Sequence, residues 1–510
     1  MIISLSVLVI TIIVSGTYAL YKAQLSKNIG VNTTTHGLAY YINYVKGTDI
    51  TAATLNPSTS YEGGASSDIE FWKKDDSYDI YGKIELTVNT IGTNLSNSPA
   101  LKYAVVNNGN VLKEGSLKGT TSGSKVTILK NLYLEQTKQI YTVYVWLDNS
   151  EELGNISNES LSISVDCTAS LQKEPTAADT IISLYTSAAK VTATNNSITY
   201  NTAPSVSLMN DRLGGTTTSL DGGNIRYYGA SPNNYIYFNC SDYSNQTSST
   251  CETWRIIGVF DGKLKLIRGS QIGKYSWDNK NISTGAEDDR GKNDWTTARL
   301  MKLLNPDDYY INDNNDKDSE GNYLGYSLYY NSASGMCFTD EGVNYSACDF
   351  TSTGIKNDET RNMIAETTYN LGGWNDTGVY PNEIYEYERG TTVYTGRPTT
   401  WTGKIALAYP SDYGYAADLN QCKQTLANYD NSTCTSNNWM KAIITDNGSN
   451  HGWLLTPDSS YSFGAWYSHG NVGEYFTGAA RGAVPVLSLS SKLGIESGDG
   501  SSSNPYKLSA

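Results

Sequence analysis

The sequence predicts a multidomain protein in which an all-β sandwich is followed by an α+β domain. Three observations carry that reading. From residue 80 to residue 165, several segments alternate apolar and polar residues with a period of two, the mark of half-buried strands. Beyond about residue 208 the pattern changes to clustered strands, capped helix signals and long polar loops. Three cysteine pairs of nearly equal spacing lie in that second part.

The chain opens on Ile2 to Leu20 (IISLSVLVITIIVSGTYAL), apolar apart from Ser and Thr. Thr17-Tyr18-Ala19 places small residues at the −3 and −1 positions of a cleavage site. A run of about 20 apolar residues is also long enough to span a bilayer. Residues 1–25 are therefore expected to be a signal peptide or an N-terminal membrane anchor. No Lys or Arg precedes Lys22, so the charged n-region is missing: either the true start lies upstream or the start codon was called late.

Residues 26–172 read as the β-sandwich domain. Ile80 to Val88, Ile140 to Leu147 (IYTVYVWL) and Leu161 to Val165 alternate in and out. Asn108-Gly109-Asn110 and Thr121-Ser122-Gly123-Ser124 supply turn chemistry between strands. About seven short strands at this spacing suit a sandwich. An apolar leader ending in Gly16-Thr17-Tyr18-Ala19, the segment Tyr144-Val145-Trp146-Leu147-Asp148 and a last strand from Ser162 to Ser170 resemble the camelysin/TasA-type exported proteins of Gram-positive bacteria. The resemblance covers roughly residues 10–172 and implies self-assembly of the sandwich into fibres or surface layers. Protease activity is not carried over, because the segment has a single His and no HExxH.

Residues 173–207 read as a linker with a short helix, bracketed by Pro175 and Pro204 and capped by Thr176. Residues 208–510 then read as the α+β domain. Tyr235 to Phe238, Trp254 to Val259 and Lys263 to Ile267 are strands, the last two joined by Asp261-Gly262, a hairpin signal. Trp295 to Asn305, after Asp294, and Asp358 to Leu371, stopped by Gly372-Gly373, are the expected helices. The last stretch runs Trp453-Leu454-Leu455-Thr456-Pro457, Ala465-Trp466-Tyr467, Gly482-Ala483-Val484-Pro485-Val486-Leu487 and Ser497 to Tyr506. It resembles secreted bacterial domains of the C-type-lectin-like and formylglycine-generating-enzyme superfamily, which implies a C-type-lectin-like fold over residues 208–508. One departure is Val484, where that family carries Arg before the proline.

Cys240 and Cys251, Cys337 and Cys348, and Cys422 and Cys434 each enclose a short polar loop with no CxxC. With only His36, His451 and His469 in the chain, metal clusters are disfavoured and local disulfides are expected. Such bonds persist outside a reducing cytosol, so the protein is expected to be extracellular or on the cell surface. Cys167 is left over, with a buried thiol weighed against an intermolecular bridge.

A net charge of −14 argues against nucleic acid and against anionic membrane surfaces as partners. Membrane attachment is expected only through residues 1–20, if they stay uncleaved. The 40 Tyr and 10 Trp against 7 Phe favour adhesive surfaces, since these rings combine contact area with a polar handle. Candidate ligand-binding residues are Trp374, Tyr385, Tyr387, Arg389, Tyr394, Arg397 and Trp401, dense within one stretch, with Trp466 and Tyr467 beside them. Asn314, Asp316, Asp318 and Glu320 alternate as oxygen ligands would for a weak Ca2+ site. Ser319 replaces an EF-hand glycine there, so a solvated acidic loop competes with the metal reading. No other cofactor is expected. GxSxG, HExxH and GxxxxGK[ST] are missing. The expectation is a non-enzymatic recognition or adhesion protein, its sandwich a stalk and its lectin-like domain binding an extracellular glycan or protein. A structural fibre or biofilm-matrix subunit is the alternative, and an extracellular hydrolase the third reading.

Overall fold

The computed structural model describes residues 22–25, 38–51, 55–151, 153, 155, 156, 159–211, 223–279, 285, 286, 288–306, 328–331, 336, 337, 346, 347 and 349–509. They fall into two compact units, Met1–Glu174 and Pro175–Ala510. The protein is β-rich and built largely from antiparallel sheets. Residues 1–20 and Asn314, Asp316, Asp318 and Glu320 lie outside the described residues. No described helix is long and apolar enough to cross a membrane.

In the first unit, strand Tyr81–Ile91 lies between Leu161–Ser170 and Lys125–Tyr133 in one sheet. Ile140–Asp148 lies between Ala65–Lys73 and Leu101–Asn107 in the other. The alternation seen in the sequence becomes burial: Ile84, Leu86 and Val88 from one sheet meet Ile69, Phe71, Val143 and Val145 from the other in a single core. Each such side chain, removed from water, contributes about 1.5–3 kcal/mol. Cys167 lies in that core at 0% exposure, and burial pushes its thiol pKa up. That position favours the buried thiol over an intermolecular bridge. Asn108 (φ 49°) and Gly109 (φ 74°) turn Leu101–Asn107 into Asn110–Ser116, a two-residue hairpin in which both central residues need positive φ.

The second unit holds a nine-stranded and a five-stranded sheet. Glu252–Phe260 and Lys263–Arg268 form the expected hairpin, with Asp261 and Gly262 at φ 48° and 71°. Residues 173–207, expected as a linker, belong instead mostly to this unit's fold. Helix Ala177–Ser187 forms with its cap, Asp179 N donating to Thr176 Oγ1 (3.1 Å) and Thr176 N to Asp179 Oδ2 (2.9 Å). Its Ala178, Ile181 and Tyr185 are buried in the unit's core, and Val191–Asn195 and Ile198–Ala203 extend the main sheet. The spacing of those apolar residues makes one helical face, and such a face must be covered.

Both helices expected further on are shorter than the sequence suggested. Asp294 accepts from Thr296 N (3.1 Å) and closes a turn, and the helix itself is Arg299–Leu304. Asn357 caps Asp358–Met363, after which Thr367–Asn370 pairs with Thr400–Gly403 as a strand. Thr-Thr-Tyr is β-favouring composition, and pairing overrides the helical pattern there. Two of the expected disulfides are present, Cys240–Cys251 and Cys422–Cys434, with Cα separations of 3.8 and 4.6 Å. Cys348 lies outside the described residues, and the third pairing with it.

Candidate functional site

Strands Gly464–Ser468 and Val472–Phe476 pair antiparallel, so their side chains divide between two faces of the five-stranded sheet. Trp466 and Glu474 oppose each other on one face, and Tyr467 and Gly473 on the other.

Trp466 is fully buried, and its Nε1 donates to Trp374 O (3.1 Å). Trp374 in turn stacks on Tyr387, with ring centroids 3.7 Å apart and 7° between planes. On the same face, burial and the Asp458 carboxylate raise the Glu474 pKa to about 8. Glu474 therefore keeps its proton at neutral pH. Asp458 Oδ2 is buried with no hydrogen-bond partner among the described residues.

The opposite face is half-open. The His451 ring stacks on Tyr467 (5.2 Å, 11°) and lies 4.0 Å from His469. The Arg481 guanidinium sits 4.3 Å from the ring centres of both Tyr467 and Tyr475. Its Nη1 meets His451 Nδ1 at 2.5 Å, while its Nε is buried without a partner among the described residues. Partial burial and the Arg481 charge lower the His451 pKa to about 4, so the neutral imidazole accepts the Arg481 hydrogen bond. Tyr475 is 41% exposed. Rings with accessible faces and an arginine held between them suit a polar ligand with apolar faces, such as a sugar, through stacking and charge-assisted hydrogen bonds.

The stretch from Trp374 to Trp401 does not make one surface. Beyond the Trp374–Tyr387 stack, Tyr385 and Arg389 pack together (3.4 Å) against a buried ionic network. In that network Arg226 pairs with Asp211 (2.5 Å) and Asp412 (2.8 Å), and Lys265 also pairs with Asp412. Arg397 donates to Asn293 Oδ1 (2.9 Å) and Ser462 O (3.0 Å), with Tyr394 beside it. Trp401 packs on Trp295 and Tyr369. Helix Pro381–Glu388 divides the stretch, and Glu383 accepts from Tyr380 N (2.8 Å) at its start. Pro381 followed by Glu383 was the sequence signal for that helix. Of the expected ligand-binding residues, Tyr467 is the one on the open aromatic face. The sequence reading missed His451, His469, Tyr475 and Arg481. The available signal was that two of the chain's three His flank the Trp466-Tyr467 strand.

The fold and the site define a β-rich, disulfide-containing, multidomain protein. No family model and no curated protein matches the chain. Among solved structures, a crystal structure of an HCR/D mutant aligns at 11% identity over 53% of this chain and 76% of its own, with a TM-score of 0.15. A likeness at that level carries no argument about fold or function.

Proposed function

We propose that this chain is a secreted or cell-surface, non-enzymatic recognition protein. In this reading the first unit is a sandwich that acts as stalk or assembly module, as in camelysin/TasA-type proteins. The second is a C-type-lectin-like unit that displays a binding face. One observation supports this above the rest: Tyr467, Tyr475, His451 and Arg481 form a half-open aromatic and cationic face, while many of the other described rings of the unit, Trp277, Trp295, Trp453 and Trp466 among them, are buried. An extracellular glycan suits that face, and the reading requires no cofactor. Binding of the whole chain to a glycan array, and its loss in Tyr475→Ala and Arg481→Ala at unchanged melting temperature, tests it. Wild-type-like binding by both variants would place recognition elsewhere.

A fibre or matrix subunit is the second reading, and a specific observation favours it. Strand Asn110–Ser116 ends its sheet, pairing with Leu101–Asn107 alone among the described strands, and it exposes Val111 (42%) and Leu112 (38%). Free edges bearing apolar residues recruit further strands. Filaments on electron-microscope grids that disappear in Leu112→Lys would support this reading over the first.

A further inference from the structure

A buried arginine without a counter-ion lines an open cavity of about 470 Å³ in the second unit. Arg255, on the strand Glu252–Phe260, is 7% exposed, and among the described residues no carboxylate pairs with it. Its guanidinium packs over two rings, 3.7 Å from the centre of Tyr235 and 4.9 Å from that of Trp439. A guanidinium donates its hydrogen bonds in its own plane. There Nε donates to Asn234 Oδ1 (2.5 Å) and Nη2 to Pro232 O (3.4 Å). Nη1 has no acceptor among the described residues.

The neighbouring charges do not neutralise it. Glu252 also lines the cavity, but both of its oxygens bond Arg268 (2.9 and 3.3 Å), and it further accepts from Trp254 Nε1 and Asn239 Nδ2. With Arg268 and Glu252 cancelling, the lining carries one net positive charge from Arg255. Burying an unpaired cation is costly. Here burial lowers the Arg255 pKa to about 10, which still leaves it charged at neutral pH. Elsewhere in the unit the fold supplies carboxylates for such groups, as Asp211 and Asp412 do for Arg226.

We propose that this cavity binds a carboxylate-bearing sugar of one or two rings, its carboxylate meeting Arg255 Nη1 in the guanidinium plane. The volume falls within the usual range for small-ligand sites. The sugar, as opposed to an aromatic acid, follows from the lining: the ring faces of Tyr235 and Trp439 already hold Arg255, and the rim offers Thr253, Ser270 and Asn447, whose hydroxyl and amide groups suit sugar hydroxyls. The site uses none of the residues of the Tyr467–Tyr475 face, so it goes beyond that reading and does not depend on it.

Titration of the oxidised full chain with glucuronate, glucose and acetate, followed by calorimetry or ligand-observed NMR, tests the proposal. Glucuronate is expected to bind at least tenfold more tightly than either glucose or acetate. Ala442→Trp, at an exposed rim position, should weaken glucuronate at least tenfold with the melting temperature unchanged. Arg255→Lys keeps the charge but loses the planar fork, and should weaken it as well. Tyr475→Ala should leave glucuronate binding as it is, which separates this site from the aromatic face. Glucose binding as tightly as glucuronate would overturn the role of Arg255, and acetate binding as tightly would overturn the sugar. Undiminished binding by Ala442→Trp, or no glucuronate binding by the wild type, would overturn the site.

Discussion

Replacing Asp412 by Asn should destabilise the second unit by about 3–5 kcal/mol, because it leaves a buried ammonium without its carboxylate. Asp412 is 1% exposed and accepts from Arg226 Nη1 (2.8 Å), from Lys265 Nζ and from Tyr409 N (3.1 Å). Arg226 keeps Asp211 in the variant, but Asp412 is the sole ion-pair partner of Lys265 among the described residues. An unfolding entropy of about 2.1 cal/mol/K per residue, over the roughly 336 residues of this unit, comes to about 0.7 kcal/mol/K. A loss of about 4 kcal/mol therefore lowers its Tm by about 6 °C. Scanning calorimetry of the oxidised chain reads this directly. Lys265→Met in the same background should recover part of the loss, since it removes the stranded charge and the two sites are coupled. The acid side gives a second arm. Burial alone would raise the Asp412 carboxyl, but Lys265 and Arg226 outweigh it and hold its pKa at about 2, against about 3.9 when unfolded. The folded state thus binds that proton less tightly, and the contribution is complete above about pH 4 and lost as pH falls toward 2. A Tm within 1 °C of wild type for Asp412→Asn, or strictly additive costs for the double variant, would refute the network as a stabilising unit.

Other expectations follow from the same geometry. Trp401→Ala should cost about 3 kcal/mol of stability, because the ring packs on Trp295 and Tyr369; Tyr475→Ala, at an exposed ring, should cost under about 0.5 kcal/mol in the same denaturation assay. Removing Cys422–Cys434, which closes a 12-residue separation, should cost about 2–3 kcal/mol in urea titrations of the Cys422→Ser/Cys434→Ser variant. Glu474 holds its proton to about pH 8 when folded and only to about 4.3 when unfolded. Its contribution therefore declines as pH rises from 4.3 to 8, and Tm against pH should be flatter over that window in Glu474→Gln than in wild type.

How much of this was legible in the sequence depends on where each signal comes from. Tyr81–Ile91 buries alternate residues, so the period of two read from Ile80 to Val88 was a direct image of a sheet with one face in the core. Asn108-Gly109 and Asp261-Gly262 were legible because positive φ restricts which residues fit. The Thr176 cap was legible for a similar local reason, whereas the role of its helix was not. Ala178, Ile181 and Tyr185 find their partners among residues far along the chain, and no local pattern shows that. The site was harder still. Density along the sequence placed Tyr385, Tyr394 and Trp401 in one group, but helix Pro381–Glu388 and the pairing of Thr400–Gly403 turn them toward separate neighbours. Tyr467, His451 and Arg481 converge only through sheet pairing between Gly452–Pro457, Gly464–Ser468 and Ala480–Gly482. Arg255 was read as a strand residue, and nothing in the sequence shows that it lacks a counter-ion.

The excess of Tyr over Phe has a physical cause in the second unit. Backbone carbonyls shielded from water need donors, and in this unit aromatic O–H and N–H groups supply several. Tyr413 Oη donates to Gly470 O (2.6 Å), Tyr429 Oη to Gly414 O (3.1 Å) and Tyr409 Oη to Asn370 O (2.9 Å). Three indoles act alike: Trp277, Trp439 and Trp453 donate to the carbonyls of Leu454, Tyr227 and Tyr275. A phenylalanine would fill the same volume without that hydrogen bond, a loss of about 0.5–1.5 kcal/mol for each. The ring thus packs the core while the hydroxyl or indole N–H holds a backbone segment against it. This use ties up a substantial share of the buried aromatic residues in the core rather than at a surface. Tyr467 and Tyr475 differ in that their rings are partly open and touch a cation, and no backbone carbonyl among the described residues accepts from either hydroxyl. An aromatic residue available to a ligand is distinguished here by an accessible ring face, as at Tyr475 (41% exposed), and composition alone cannot make that distinction.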